Sequence, residues 1–259
     1  MLSQDMIRAF AMGILAAAMI ARADEAGDNP ALEGIARFNA AYQAWDAGGF
    51  AGAAGDFRRA CEKNPGSAVN CYWQGAAHFH RMLHFKNRPE PDARNADAAM
   101  EQAIAALETA VKLDPRHAES HALLGTLYGM KIQGGVLRAI RFGPRVQDHQ
   151  KQALRHGPRN PRVRYLLGAG LFHTARDEAG RREALATLLA AEKLFLAEAE
   201  SPPAPLEPRW GLGSCRTFIG RACLSLGDET KAAAYLRKAL ADHPNNHIAR
   251  AELAKITRP

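Results

Sequence analysis

Histidine is the residue in this chain best suited to chemistry, and it comes in pairs. His80 and His84 stand four apart, as do His117 and His121, a spacing that puts each pair on one helix face. Two imidazoles one turn apart can begin a metal site, but zinc takes three or four ligands. There is no H-E-x-x-H, and ten histidines in one chain make such pairs common by chance. No metal and no cofactor is therefore expected. Ser67, Ser120, Ser201, Ser214 and Ser225 sit in no G-x-S-x-G. Gly211-Leu212-Gly213 lacks the third glycine and the preceding strand of a dinucleotide loop, and no Walker A motif occurs. No catalytic set emerges, and the chain reads as a non-enzyme.

Cysteine offers a second chemistry. Cys61 and Cys71 flank Asn64-Pro65-Gly66, one on each of two successive predicted helices, so their thiols can meet in a disulfide. Cys215 and Cys223 lie eight apart on one predicted helix, about 12 Å at the helical rise, beyond disulfide reach. They read as small core residues. The absence of C-x-x-C and C-x-x-C-H removes thioredoxin-like and haem-attachment readings.

Charge offers a third. The 259 residues carry a formal net charge of +7, and the stretch from Lys131 to Arg164 alone exceeds it. That stretch holds Lys131, Arg138, Arg141, Arg145, Lys151, Arg155, Arg159, Arg162 and Arg164, with Asp148 its only acid. Arg138, Arg141 and Arg145 stand at helix-face spacing beside Leu137, Ile140 and Val146. This is either a docking patch for carboxylates, phosphate or lipid, or a solvated face offset by acids such as Glu183, Glu192, Glu198 and Glu200 elsewhere. An acidic protein or peptide is the favoured partner, with peripheral membrane contact as an alternative.

The N-terminus reads as an export leader. Arg8 precedes an apolar run from Ala9 to Ile20, too short for a comfortable membrane span, and Ala21-Arg22-Ala23 supplies small residues for cleavage before Asp24. Asp5 disturbs the positive region, and a start at Met6 would remove it. The expected leader is 1–23, followed by a flexible mature N-terminus over 24–33, in a periplasmic or secreted protein. Nucleic acid is not an expected partner of such a protein.

The elements that must position these residues are helical. The chain is Ala-rich with few β-branched runs. Residues 213–246 read GSCRTFIGRACLSLGDETKAAAYLRKALADHPNN, with Ile219-Gly220, Cys223, Gly227-Asp228, Ala232, Leu236, Ala239 and Pro244 in order. That order resembles one unit of the tetratricopeptide repeat, whose period is ~34. Degraded copies precede it at 34–66, 68–117, 118–160 and 161–200, and 247–257 reads as a capping helix. The resemblance implies an all-α fold, a right-handed superhelical α-solenoid of about five helix pairs plus the cap. Pro65 and Pro115 stand 50 apart, and Pro115 and Pro158 stand 43 apart. The excess is expected as lengthened loops inside the second and third units, at 85–92 and around Gly134-Gly135 and Phe142-Gly143-Pro144. Four prolines between Glu200 and Pro208 link the last two units.

The second and fourth units share a phrase. Tyr72, Ala76, Phe79 and His80 recur as Tyr165, Ala169, Phe172 and His173. In tetratricopeptide arrays the first helices line a concave groove, so the resemblance implies a groove with aromatic walls and two histidines. The opposing reading is shared ancestry and core packing. Two functions are open on these grounds: a scaffold of the bacterial envelope binding protein through groove and loops, or a periplasmic binder of an organic or anionic solute in that groove.

Overall fold

The computed structural model describes residues 29–132 and 135–257. The expected leader at 1–23 and the stretch to 28 lie outside the described residues. Eleven helices succeed one another, with no strand among the described residues: α1 (Pro30–Ala44), α2 (Ala47–Lys63), α3 (Ala68–Asn87), α4 (Ala93–Leu113), α5 (Ala118–Lys131), α6 (Val136–His156), α7 (Pro161–Thr174), α8 (Glu178–Ala199), α9 (Leu212–Ser225), α10 (Glu229–Asp242) and α11 (His247–Ile256). The first corrects the expected flexible stretch over 24–33 only from residue 30 on, the residues to 28 lying outside the described ones. Asn29 Oδ1 accepts from the Ala31 and Leu32 amides and Pro30 sits in the first turn, so the chain is helical from residue 30.

Successive helices pair as α1/α2, α3/α4, α5/α6, α7/α8 and α9/α10, and α11 closes the series. Three of the four junctions between pairs, and the one before α11, share a device. Asn64, Asp114, Gly157 and His243 each precede a proline, and each carbonyl accepts from the amide three residues on, at 3.0–3.1 Å. The residue that closes each turn (Ser67, His117, Asn160, Asn246) then caps the next helix with its own side chain. The fourth junction, 200–211, abandons this plan.

Within each pair, one small residue sets how closely the helices approach. A methyl group on Gly34 would meet Phe57 at 2.9 Å, on Gly75 Leu107 at 2.5 Å, on Gly168 Leu188 at 2.8 Å, and on Gly220 Leu236 at 2.7 Å. In the third pair Gly125 faces the Gln150 stem at 3.4 Å, a looser contact. One continuous core runs from Phe38 to Ala232. A smaller cluster of Leu236, Ala239 and Ala249 lets α11 cover the last pair.

The extra residues of the second and third pairs are helix rather than long loop. α3 runs 20 residues and α4 21, leaving only 88–92 between them. α6 runs 21 residues through Phe142, Gly143 and Pro144. Pro144 removes one amide donor, a loss tolerated here because the helix is solvated along this stretch and water can serve the freed carbonyl.

Candidate interaction surfaces

The two Tyr–Phe–His phrases do not form an open groove. Tyr72, Ala76, Phe79 and His80 on α3 are buried, as are Tyr165 and Ala169 on α7; Phe172 is half-buried and His173 exposed. The cover is the chain's own. After α8 the segment 201–211 returns across α3, where the Trp73 indole donates to the Leu206 carbonyl at 3.0 Å. Trp210 is buried, its indole donating to the Tyr72 hydroxyl at 3.0 Å and its ring 4.8 Å from that of His80. Gly211 makes the turn into α9 with φ +116, a left-handed backbone that favours glycine. A side chain there would also meet Phe195 at 2.9 Å.

The two ends of the array meet beside this plug. His243 stacks on Tyr42 with ring centroids 5.0 Å apart, and its Nε2 donates to the Tyr42 carbonyl. Asn245 donates to the Gln43 carbonyl at 3.0 Å and His247 to the Asn87 carbonyl at 2.5 Å. Tyr165 and Phe172 instead gather around Phe218 of α9, at 6.1 and 5.8 Å. Arg221 lies over both Phe172 and Phe218. His80 is sealed among Phe38, Tyr42, Phe50, Phe79 and Trp210. Burial pushes its pKa down to about 4, so it is neutral at physiological pH.

A buried polar chain ties the plug to the middle units. The Tyr72 hydroxyl donates to Glu119; the other Glu119 oxygen accepts from Asn160 Nδ2 and Arg162 Nε, both at 2.7 Å. Arg162 also grips Glu198 with both terminal nitrogens. The Glu198 carbonyl accepts from Arg209, which reaches Glu207 at 3.0 Å. Arg162 is 2% exposed. It therefore leaves the expected basic patch, because Glu119 and Glu198 replace its water. Nothing in the sequence marks Glu119 or Trp210, whose partners are distant in the chain, and Glu198, expected among the solvated offsetting acids, is instead a partner of Arg162.

The rest of the basic stretch divides. Lys131 pairs with Glu101 at 2.5 Å, and Arg164 Nε donates to the Pro158 carbonyl at 2.8 Å. Arg155 and Arg159 are exposed. Arg138, Arg141 and Arg145 project from the first half of α6, with no ion pair among the described residues. Arg145 donates to the Tyr128 hydroxyl at 3.3 Å, and Arg141 lies 5.2 Å over Phe142. Phe142 in turn stacks on Tyr128, anchoring α6 to α5. Only Ala153 of α6 is buried. Val136, Leu137 and Ile140 are 78%, 82% and 68% exposed, a solvated apolar ridge beside the arginines.

The remaining candidates are structural. His80 Nδ1 donates to the Ala76 carbonyl at 2.8 Å and His84 Nδ1 to the Trp45 carbonyl at 2.9 Å. His117 caps α5, with Ser120 Oγ 2.9 Å from its Nδ1 and the serine fully buried. His121 donates from Nε2 to the Pro115 carbonyl at 3.0 Å, so its Nδ1 accepts from His149 Nδ1 at 2.9 Å. Among the described residues no three His, Cys, Asp or Glu gather as a metal site, and no helix is long and apolar enough to cross a membrane.

Helix hairpins stacked through small-residue contacts and covered by a terminal helix define an α-solenoid, a class that presents binding surfaces. Residues 215–256 match the tetratricopeptide repeat family. The fold is similar to that of TTC0263, a thermophilic TPR protein of Thermus thermophilus, with TM-score 0.58 and 20% identity over 86% of this chain and 98% of that one. Pseudomonas aeruginosa pilF aligns with TM-score 0.45 and 21% identity over 70% of this chain and 67% of that one. Comparison with curated protein sequences finds no match. The chain is thus an all-α tetratricopeptide-type solenoid, a fold that commonly scaffolds protein–protein contacts.

Proposed function

We propose that this chain is a non-catalytic scaffold of the bacterial envelope that docks an acidic protein partner on the first half of α6. The observation that carries the reading is the ridge of Val136, Leu137 and Ile140, exposed beside Arg138, Arg141 and Arg145. Exposed aliphatic side chains next to guanidinium groups without carboxylate partners suit a surface with an apolar contact ringed by acids. The concave face supports a bound solute less well, since Trp210 and the 201–211 segment fill it. Export rests on the apolar run from Ala9 to Ile20 and the small residues before Asp24.

A photo-crosslinker at position 137 in living cells, with the adduct identified and then titrated in purified form, tests the docking. Charge reversal at Arg138, Arg141 and Arg145 should abolish that affinity, and added salt should weaken the parent complex. Binding to anionic vesicles without any protein adduct would move the reading to the membrane surface. N-terminal sequencing of the mature protein tests export; an intact Met1 or Met6 would end that part.

A further inference from the structure

On the far side of the second unit from the plug, α3 forms the floor of an open cleft between α2 and α4, of about 550 Å³. Gln74, His78 and Arg81 rise from the floor at positions i, i+4 and i+7; Arg58 stands on one wall, Gln102 and Thr109 on the other. Alanines and a glycine make up the rest of the walls, so the space stays open between two helices that would otherwise close it.

Two nitrogens on residues that line this cleft have no partner. His78 is 9% exposed, yet its Nδ1 bonds to nothing in the protein. Arg81 Nε is likewise buried and unpaired, while the rest of its guanidinium lies 5.5 Å over Phe85. Unsatisfied buried polar atoms are rare and costly, and two that line one cleft mark the place of an absent acceptor. No carboxylate lines the cleft, so the charge facing it is that of Arg81 and Arg58. Arg58 pairs with Glu62 at 2.6 Å, out on the exposed surface.

We propose that this cleft binds a small oxyanion, a carboxylate or phosphate carried on a compact polar molecule. Small rotations of both side chains toward the opening uncover Arg81 Nε–H and His78 Nδ1–H for the anionic oxygens, and Gln74, Gln102 and Thr109 address the polar body. A charge-assisted bond from a guanidinium suits either anion, which is the chemistry the two share. The volume lies within the range of small-molecule sites. Burial, with the nearby Arg81 charge, pushes the His78 pKa down to about 4, and a bound anion would raise it by favouring the imidazolium. The site is in the first two units and stands independently of the α6 ridge in the third.

The test uses the full chain and follows the His78 ring Cε1–H by NMR, assigned with His78→Gln. Inorganic phosphate and succinate are titrated separately against chloride at matched ionic strength. Saturable movement of the His78 signal, with its pKa rising, is expected in at least one arm, and the arm that responds names the anion. Arg81→Gln should weaken that binding by about tenfold or more, while Arg155→Gln leaves it unchanged and thermal melts report that both variants are folded. A His78 signal that moves no more with phosphate and succinate than with chloride, up to about 50 mM, overturns the site. Equal weakening by Arg155→Gln would reduce it to general attraction of anions and overturn it as well.

Discussion

Cys61 Sγ on α2 and Cys71 Sγ on α3 lie 3.3 Å apart across the turn that joins the first two helix pairs. At this separation they are thiols in contact, with no bond between them. Either thiol can donate to the other, and that bond holds one thiolate of the pair below the ordinary thiol range, which favours exchange. We propose that mild oxidation joins them. Oxidised protein should lose two thiols by mass and reagent titration, and gain about 2–3 kcal/mol in urea from closing this short loop. Cys215 and Cys223 should stay reduced, since both are buried and burial raises their pKa. A disulfide that involves either of them, or none at all in a glutathione buffer, would sink the pairing.

Arg162 gives a second prediction. It answers two carboxylates from a buried position, so its removal strands Glu119 and Glu198. Arg162→Met should cost about 3–5 kcal/mol by chemical denaturation, the range for breaking a buried ion pair from one side. Arg155→Met, at an exposed position, should cost little. Comparable losses for the two would show that the network contributes no more than the surface does.

His80 makes stability depend on pH, and the sign follows from its environment. Its titratable neighbour is His243, whose charge also opposes protonation; the remaining contacts are aromatic rings and the Ala76 carbonyl. The native pKa is about 4 against an ordinary 6.5. Between those values the unfolded chain binds the proton and the native chain does not. Stability is therefore full above about pH 6.5 and falls as pH drops toward 4, by up to roughly 3 kcal/mol for this one group. Urea titrations at pH 7.5 and 4.5 should show the loss, and His80→Phe should shrink it. An unchanged slope in the variant would assign the pH dependence to the other buried histidines.

Much of the repeat plan was legible because single residues set it. Gly75, Gly168 and Gly220 mark helix contacts that no side chain could enter, and the proline turns end in residues that cap the next helix. The Cys61–Cys71 approach was legible for the same reason, since a short turn fixes both positions. The groove was not. The offsets of Tyr72, Phe79 and His80 correctly place them on one face, but whether that face is open depends on Trp210, which arrives from 138 residues away. Arg162 looked like surface because arginine is usually solvated, and only Glu119 and Glu198, 43 and 36 residues off, make its burial tolerable. The segment 85–92 and Phe142-Gly143-Pro144 looked like loop on composition. Helix instead runs through 87 and across 142–144, where Phe142 stacks on Tyr128 from the preceding helix, a partner that composition does not reveal.

Trp210 decides whether the concave face is a core or a binding groove, and one substitution separates the two. The indole fills space between α3 and the 201–211 segment, and its N–H serves the Tyr72 hydroxyl. If the plug is a fixed part of the fold, Trp210→Ala removes a large buried ring and should cost about 3–5 kcal/mol. The segment should then detach, become cleavable by protease within 201–209, and expose the Tyr72–His80 face to a hydrophobic dye. Trp210→Phe should restore most of the packing and protease resistance while leaving the Tyr72 hydroxyl without its donor. A Trp210→Ala protein with parent stability and parent protease resistance would mean that other contacts of the segment, such as Trp73 to the Leu206 carbonyl, keep the face covered and that Trp210 does not decide it.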